Sequence, residues 1–337
     1  MRVEDLPTPA LVVDTAAIVR NLDTMSAALP GNRLRPHVKA HKCTSLAREQ
    51  ANRGHLGFTG ATPRELLGLA RAGLGDDLLL ANESVDDARL RALADCGARV
   101  TVAVDSEATV DAAARNGIGE VLIDINVGIP RCGVSPDGAG AIADYARRRG
   151  LVVRGTMGYE GHAVLVEDGA VRRKLTDESM ALLARAHEAV GGEILSGGGT
   201  GTYDLNDIAT EIQAGSYALM DTAYGKLDIP FQLALSVVAT VIHSNPNWSV
   251  ADCGLKSLGM DHGNPTIREA NVLFCSDEHV TFIPQAPPAV GDRVSVWPAH
   301  VDPTVAYHDV MHLADGPGID ATVIDAWSVD LRGWDPG

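Results

Sequence analysis

The chain of 337 residues has no long apolar run, only five cysteines and no excess of basic residues. No stretch approaches the length of a membrane-spanning helix, and residues 1–7 lack the apolar core of a signal peptide, so we expect a cytoplasmic protein. The cysteines are odd in number and far apart, which indicates neither a disulfide framework nor a cysteine-type zinc site. Because the net charge is -16, neither nucleic acid nor an anionic membrane is an expected partner.

Short apolar runs alternate with amphipathic stretches through the first two-thirds of the chain. The runs predict strands at residues 34–39, 56–60, 78–81, 99–104, 121–126, 152–159, 194–198 and 217–220. The stretches between them predict helices at 63–72, 84–96, 106–116, 139–149 and 174–190. Near-continuous apolar strands that alternate with helices are typical of a parallel sheet. Eight such units predict an α/β protein with a (β/α)8 TIM-type barrel, and a doubly wound open sheet is the structural alternative.

The pattern changes after residue 232, where strand-like runs follow one another with Gly, Pro and Asp turns between them. These runs span residues 233–243, 248–252, 271–275, 280–283, 293–297 and 321–327, and no helical period is evident. We therefore predict a barrel domain at 9–232 and a C-terminal all-β domain at 233–337, which residues 1–8 complete.

Lys39 lies in the octapeptide 35–42, Arg-Pro-His-Val-Lys-Ala-His-Lys, at the end of the first predicted strand. Nearby positive charge disfavours the ammonium form of a lysine. A neutral amine is what Schiff-base chemistry with a carbonyl cofactor requires. The alternative is a basic loop on a solvated surface. His41 and Lys42 are expected to set the local field rather than to react.

The other unusual polar residues also follow predicted strands, where barrel enzymes collect their function. Asn126 and Arg131 follow strand five, and Tyr159, Glu160 and His162 follow strand six. Strand seven runs into the glycine-rich segment 196–202, Ser-Gly-Gly-Gly-Thr-Gly-Thr, whose backbone N–H groups can converge on an anion, although it could be only a tight turn. A phosphate site together with an activated lysine points to pyridoxal phosphate (PLP).

His300 and Asp302 stand two residues apart in the predicted β domain. On an extended strand they would face the same side, where they could share one divalent ion. A carboxylate ligand favours Mn²⁺ or Mg²⁺ over zinc. The rival pair, His308 and His312, would need a helix that the sequence does not indicate, so we interpret these two as surface histidines.

With these motifs the chain resembles the fold-type III PLP enzymes, in the D-threonine aldolase / D-serine dehydratase-like family with its alanine racemase-type N-terminal domain. The resemblance spans nearly the whole chain. The motifs that carry it lie at residues 8–14, 35–42, 124–133, 158–162, 196–202, 215–221, 252–256 and 300–302.

The resemblance implies a homodimer in which Lys39 is the Schiff-base lysine and Arg131 or Tyr159 lies near the cofactor ring. It implies that the phosphate is held by a larger set: Ser196, Gly198, Gly199, Thr200, Gly201, Thr202, Tyr217 and Asp221. His300 and Asp302 match the family's metal pair. The dehydratase-like members carry Cys at the position of Asp302, so the carboxylate indicates the aldolase branch with Mn²⁺, or with Mg²⁺ or Co²⁺. The chain departs from the family in residues 297–299, Trp-Pro-Ala, and in being somewhat short.

The resulting hypothesis is a lyase that cleaves D-3-hydroxy amino acids to glycine and an aldehyde, with His162 or a water on the metal ion as the base. Dehydration of D-serine or 3-hydroxyaspartate is the alternative reaction on the same scaffold. A racemase needs no metal pair, a non-catalytic PLP-binding protein would need neither His300 nor Asp302, and a metal-free sugar-phosphate enzyme is a remote option. Arg131 could instead form a structural salt bridge, and His162 could be a structural loop residue. Lys256 and Asp261 could line the site or could be turn residues.

Overall fold

A parallel sheet of seven strands forms a barrel that an irregular eighth segment closes. The computed structural model describes residues 1–334. Within them the strands are β1 (Ala10–Asp14), β2 (Gly57–Gly60), β3 (Asp77–Leu80), β4 (Val100–Val104), β5 (Glu120–Asp124), β6 (Val152–Met157), β7 (Ile194–Gly197), β8 (Glu211–Ile212), β9 (Leu235–Ser244), β10 (Ser249–Ala251), β11 (Ala270–Cys275), β12 (Val280–Pro284), β13 (Arg293–Val296), β14 (Val310–Ala314) and β15 (Val323–Ser328). The helices are α1 (Thr15–Ala28), α2 (Thr44–Ala51), α3 (Pro63–Arg71), α4 (Asp87–Ala94), α5 (Glu107–Arg115), α6 (Ala139–Arg148), α7 (Gly169–Val190) and α8 (Val301–Ala306).

The chain folds as two units, which we describe separately. The barrel unit comprises residues 25–39, 46–215 and 331–334, and the β unit comprises Met1–Thr24, Ala40–Ser45 and Ser216–Asp330. The predicted domain boundary between residues 232 and 233 stays a prediction. The last residues of the predicted C-terminal domain, 335–337, lie outside the described part of the chain. No helix among the described residues is long and apolar enough to cross a membrane.

In the barrel unit, β2 to β8 pair in chain order and every pair is parallel. Residues from five of these strands pack into one buried apolar cluster: Leu79, Ala103, Leu122, Met157 and Ile194. The predicted α/β barrel class is thereby confirmed.

Residues 34–37 close the ring between β8 and β2. Leu34 bridges Ile212 and His37 bridges Thr59, both in the parallel sense. This segment is not the regular strand predicted at 34–39, because Pro36 has no N–H group for a ladder and the chain turns into a 3-10 helix at Val38–Ala40.

The eighth strand was predicted in the wrong place. Glu211–Ile212 fills that position, whereas Ser216–Ala218 forms a 3-10 helix and Met220 has a left-handed φ of 57°. Residues 217–220 are all buried, which accounts for the apolar run in the sequence. Periodicity alone cannot distinguish so short a buried run from a strand.

The side chains of Arg35 and Arg154 form an ion-pair network at the amino ends of the barrel strands. Both residues are 5% exposed, and their guanidinium groups contact Asp77 at 3.0 Å and 2.7 Å. Arg35 also pairs with Glu211 at 2.8 Å. A Cβ at Gly57 would lie 2.8 Å from an Arg35 nitrogen, so the glycine leaves room for this side chain. The network therefore ties the closing segment to β3, β6 and β8.

The β unit is a mixed sheet in the order β11-β12-β10-β9-β1-β14-β15, with β13 also paired to β9. Only β1 and β14 pair in parallel. Neither strand was predicted from the sequence, and residues 10–14 were predicted to belong to the barrel domain. Helix α8 was not predicted either, so the unit is predominantly, rather than entirely, β. Val3, Leu6, Val12 and Val238 contribute to its buried core.

We expect Asp77→Asn to lower the free energy of unfolding by about 2–3 kcal/mol near pH 7, because two buried guanidinium groups lose a counter-charge. This is less than the roughly 3–5 kcal/mol for a fully buried pair, since 22% of the Asp77 side chain is exposed. Burial opposes ionisation of Asp77, but the hydrogen bonds from Arg154 and Arg35 prevail and lower its pKa to about 2. Stability from a depressed carboxyl pKa is present above about pH 4 and is lost towards pH 2. The difference in free energy of unfolding between the wild type and Asp77→Asn should therefore shrink between about pH 4 and pH 2.

Urea unfolding followed by circular dichroism at several pH values measures this deficit. The control is Asp144→Asn, which breaks the exposed Arg147 pair and should cost under about 1 kcal/mol. Equal stabilities of the two variants near pH 7 would contradict the prediction.

Candidate functional site

Tyr159 connects several predicted site residues at the carboxyl ends of the barrel strands. It follows β6, and its ring centroid lies 5.7 Å from the Lys39 Nζ atom and 5.6 Å from the Arg131 guanidinium carbon. A Cβ on Gly199 would lie 3.4 Å from the same ring, so the glycine-rich segment also packs against it. Residues predicted from four separate motifs thus meet at one aromatic ring.

Lys39 is half-buried in its 3-10 turn, and its backbone N–H donates to His37 Nδ1 at 3.4 Å. The exposed Arg131 and His162 lie on neighbouring loops. The His162 ring packs against Gly128, where an added Cβ would lie 2.8 Å from Cε1. The assignment of His162 as the base stays a prediction.

The glycine-rich segment 196–202 is buried, and several of its polar groups already have partners within the barrel unit. Ser196 Oγ accepts from Gln213 Nε2 at 2.8 Å. The Gly199 N–H donates to Thr202 Oγ1 at 3.1 Å. Gly198 has φ of 79° and a Cβ there would clash with Ile212, which requires a glycine. The segment is therefore a defined loop, and direct contact of its members with phosphate stays a prediction.

Glu160 organises this loop, whereas the sequence indicated only an unusual polar residue after strand six, without a specific role. Its carboxylate accepts from Thr202 Oγ1 at 2.6 Å and from the Gly198 N–H at 3.2 Å. The residue is 0% exposed, and burial raises the pKa of its carboxyl group. The signal available in the sequence was only its position after a strand, next to Tyr159.

These residues fit a PLP cofactor. An amine, an aromatic ring and a glycine-rich loop meet at one edge of one barrel, and the chemistry of this set suits an aldehyde, a pyridine ring and a phosphate respectively. Lys39 would hold the aldehyde carbon, and Tyr159 or Arg131 would lie near the ring.

Tyr217 and Asp221 belong to the β unit. Tyr217 is fully buried, with its ring centroid 5.7 Å from that of Phe231. The Asp221 carboxylate accepts from the backbone N–H groups of Tyr224 and Val301, each at 2.9 Å. Burial raises the pKa of Asp221 to about 6. A role of either residue in holding phosphate stays a prediction.

His300 and Asp302 lie beside each other at the start of α8 in the β unit. His300 is the N-cap residue, and Asp302 lies in the first helical turn. The expectation that both lie on an extended strand is wrong, because Pro303 and an acidic residue favour the first turn of a helix. His300 Nε2 and Asp302 Oδ1 are nevertheless 4.0 Å apart. An ion with bonds of about 2.0–2.2 Å fits between atoms at that separation.

Asp261 and His262 complete the surroundings of His300. Asp261 Oδ2 lies 2.7 Å from His300 Nδ1, a contact that leaves Nε2 as the metal-binding nitrogen. Partial burial opposes ionisation of Asp261, but the hydrogen bond with His300 lowers its pKa. The His262 ring stacks on His300, with centroids 3.9 Å apart. Asp261, His262 and His300 form a group that could hold a metal ion. The sequence offered Asp261 as a residue that lines the site or as a turn residue, and it gave no signal for His262.

A second group of potential ligands, Glu83, Asp105 and Cys132, lies at the carboxyl ends of barrel strands. The Cys132 thiol donates to Glu83, which raises the pKa of the thiol to about 11. A protonated thiol is a poor metal ligand. Burial, and then the neighbouring Glu83, raise the pKa of Asp124 well above its usual range. This group is therefore a weaker candidate for a cation site than the residues around His300.

Comparisons with known proteins agree with this geometry. The family described as "Alanine racemase, N-terminal domain" matches residues 13–222, and "Putative serine dehydratase domain" matches residues 234–314. The chain is 33% identical to D-threonine aldolase of Arthrobacter sp over 97% of this chain and 93% of that protein. It is 31% identical to 3-hydroxy-D-aspartate aldolase of Paracoccus denitrificans (strain Pd 1222) over 98% and 93%. The crystal structure of D-threonine aldolase from Filomicrobium marinum matches with a TM-score of 0.92 and 32% identity, over 98% of this chain and 96% of that one.

The first family covers more than half of the chain, including Lys39, Tyr159 and the glycine-rich loop, and the second covers His300 and Asp302. The chain therefore belongs to the fold-type III PLP enzymes, in the D-threonine aldolase / D-serine dehydratase-like family, and is a lyase.

Proposed function

We propose that the protein is a PLP- and divalent-metal-dependent aldolase that cleaves D-threonine-like D-3-hydroxy amino acids to glycine and an aldehyde. The observation that carries the proposal is the pair formed by His300 Nε2 and Asp302 Oδ1 at 4.0 Å, with Nδ1 occupied by Asp261. A racemase would have no use for such a pair. The named relatives, two of them D-threonine aldolases, support the same reaction.

Lys39 would hold PLP, which when bound supplies an electron sink for the electrons left on the substrate Cα atom. The Tyr159 ring restrains the Lys39 amine from one side through their contact at 5.7 Å. Arg131 contacts the same ring, with its guanidinium carbon 5.6 Å from the centroid. These residues orient the cofactor and leave the bond cleavage to the polar groups around the substrate.

His300 and Asp302 would hold the divalent ion, which when bound makes the substrate 3-hydroxyl more acidic. Asp261 fixes the His300 ring so that Nε2 points away from the carboxylate that binds Nδ1. His162 is our candidate for the group that accepts the hydroxyl proton. Its ring is exposed, so the proton can pass on to water. We propose Mn²⁺ as the ion, with Mg²⁺ or Co²⁺ as substitutes, because a carboxylate ligand suits hard cations.

Dehydration of D-serine or 3-hydroxyaspartate is the second candidate function. The serine dehydratase domain matches the part of the chain that contains both proposed metal ligands. The same ion could activate the 3-hydroxyl as a leaving group. We further propose a homodimer that acts on a small amino-acid substrate.

Product identification separates the two functions. With added Mn²⁺, the PLP-loaded protein should convert D-threonine and D-phenylserine to glycine and an aldehyde, because the alkoxide formed at C3 drives cleavage of the Cα–Cβ bond. Pyruvate and ammonia from D-serine would show dehydration instead. L-threonine is the stereochemical control, and Lys39→Ala, which cannot form a reducible lysine adduct with PLP, is the protein control. Full turnover by Lys39→Ala would overturn the proposal.

His300→Ala should lower the Mn²⁺-dependent rate by at least about 100-fold, because one of two proposed protein ligands is lost. The visible absorbance of bound PLP should not change. Steady-state assays at increasing Mn²⁺ measure the rate, and absorbance spectra measure the cofactor. His312→Ala, which removes a histidine on β14, is the matched control and should retain activity. A fully active His300→Ala protein in excess chelator would refute the metal role.

Glu160→Ala should weaken PLP binding by about tenfold or more, because the loop loses two hydrogen bonds worth roughly 1 kcal/mol each. Glu160→Gln should bind more tightly than Glu160→Ala, since the amide keeps one acceptor and can donate to Thr202. Titration of the apoprotein with PLP, followed by absorbance, measures the dissociation constant.

Glu65→Ala is the control for that experiment. Glu65 is also fully buried and accepts a backbone N–H, that of Ala61 at 2.6 Å, on helix α3. Its loss should lower stability without a specific loss of PLP affinity. Equal PLP affinities of the Glu160→Ala and wild-type proteins would contradict the proposed role of Glu160.

A further inference from the structure

Three hydrogen bonds within the β unit join the segment 216–222 to the segment 298–302. Asp221 Oδ2 accepts from the Val301 N–H at 2.9 Å. The Thr222 N–H donates to the Pro298 carbonyl oxygen at 3.0 Å. Ser216 Oγ donates to Asp302 Oδ1 at 3.3 Å. The segment that carries the proposed metal pair is therefore held along its length by the segment around Asp221.

Asp221 is the centre of this connection. Its carboxylate is 0% exposed, and its other oxygen accepts from the Tyr224 N–H at 2.9 Å. Both oxygens are thus engaged with backbone donors. A carboxylate in this state offers only acceptors and negative charge, neither of which attracts a phosphate. These bonds suit a structural anchor better than a phosphate ligand.

The N–H group that Asp221 binds lies between the two proposed ligands. Val301 is the first residue of α8, His300 is its N-cap and Asp302 is its second residue. A restraint on the Val301 nitrogen therefore restrains the Cα atoms on both sides. Met220, next to Asp221, has a φ of 57° with its side chain 1% exposed. A non-glycine residue keeps that conformation only where its surroundings enforce it, so the anchoring segment is itself rigid.

We infer that Asp221 is a positioning residue for the His300–Asp302 metal pair and not a ligand of the cofactor phosphate. This inference rests on the proposed function, since it takes the pair to be the metal site. The Asp221 carboxylate sets the start of α8, and the start of α8 sets the separation of His300 Nε2 and Asp302 Oδ1. Removal of an outer partner of a metal ligand typically weakens metal binding by about 10- to 100-fold.

Titration of the PLP-loaded, full-length protein with Mn²⁺, with free Mn²⁺ followed by electron paramagnetic resonance, tests the inference. Asp221→Ala should raise the Mn²⁺ dissociation constant by about 10- to 100-fold. Asp221→Asn should raise it less, because the amide keeps one acceptor. PLP affinity, measured separately on the apoproteins, should change by less than about twofold in both variants, since no bond to the cofactor is removed.

Asp168→Ala is the matched control. Asp168 is the N-cap of α7, and its carboxylate also accepts two backbone N–H groups, from Ala170 at 2.9 Å and Val171 at 3.0 Å. That variant loses the same kind of anchor at a helix without proposed ligands. Its Mn²⁺ affinity should equal that of the wild type.

Three outcomes would overturn the inference. In the first, the two Asp221 variants bind Mn²⁺ as tightly as the wild type does. In the second, they lose PLP affinity instead of Mn²⁺ affinity. In the third, their Mn²⁺ affinity equals that of Asp168→Ala.

The His300→Ala variant distinguishes failure of the inference from failure of the proposed function. If it abolishes Mn²⁺ binding while the Asp221 variants bind normally, only the inference fails. If it binds Mn²⁺ normally, the metal pair of the proposed function fails and the inference fails with it.

Discussion

The closure of the barrel by residues 34–37 is the constraint on which the placement of Lys39, the proposed cofactor lysine, depends. Four residues join β8 on one side and β2 on the other through isolated bridges. Arg35 strengthens this short join with ion pairs to Asp77 and Glu211. The chain then turns immediately into the 3-10 helix that carries Lys39. Because the join is anchored at both edges, the amine stays within reach of the Tyr159 ring.

Buried carboxylates that bind backbone N–H groups recur next to the residues with proposed chemical roles. Glu160 receives the Gly198 N–H and the Thr202 hydroxyl in the barrel unit. Asp221 receives the N–H groups of Tyr224 and Val301 in the β unit. A carboxylate with two acceptors can fix two donors at once, and burial excludes the water that would compete for them. A buried carboxylate thus fixes the glycine-rich loop in the barrel unit, and another fixes the start of α8 in the β unit.

The proposed preference for a hard metal ion depends on which carboxylate and thiol groups are ionised. The proposed ligands are the His300 imidazole and the Asp302 carboxylate, and a carboxylate favours a hard ion. Cys132 is the thiol in the group with Glu83 and Asp105. It donates a hydrogen bond to Glu83, which raises the pKa of the thiol and keeps it protonated. Within the described part of the chain, the better candidate for a cation site is therefore the pair of His300 and Asp302, with Asp261 and His262 next to His300.

The sequence by itself determined the barrel class, the candidate lysine, the glycine-rich loop and the His300–Asp302 pair, because each depends on local periodicity or on residues close together in the chain. It misplaced the eighth strand, since a buried 3-10 turn at 216–218 and a buried strand have the same apolar composition. It did not predict α8 or His262, and it named Glu160 and Asp261 without assigning either a partner. Only the tertiary structure decided these, because hydrogen bonds such as Thr202 to Glu160 and His300 to Asp261 join residues 42 and 39 positions apart, and no local pattern encodes such pairings.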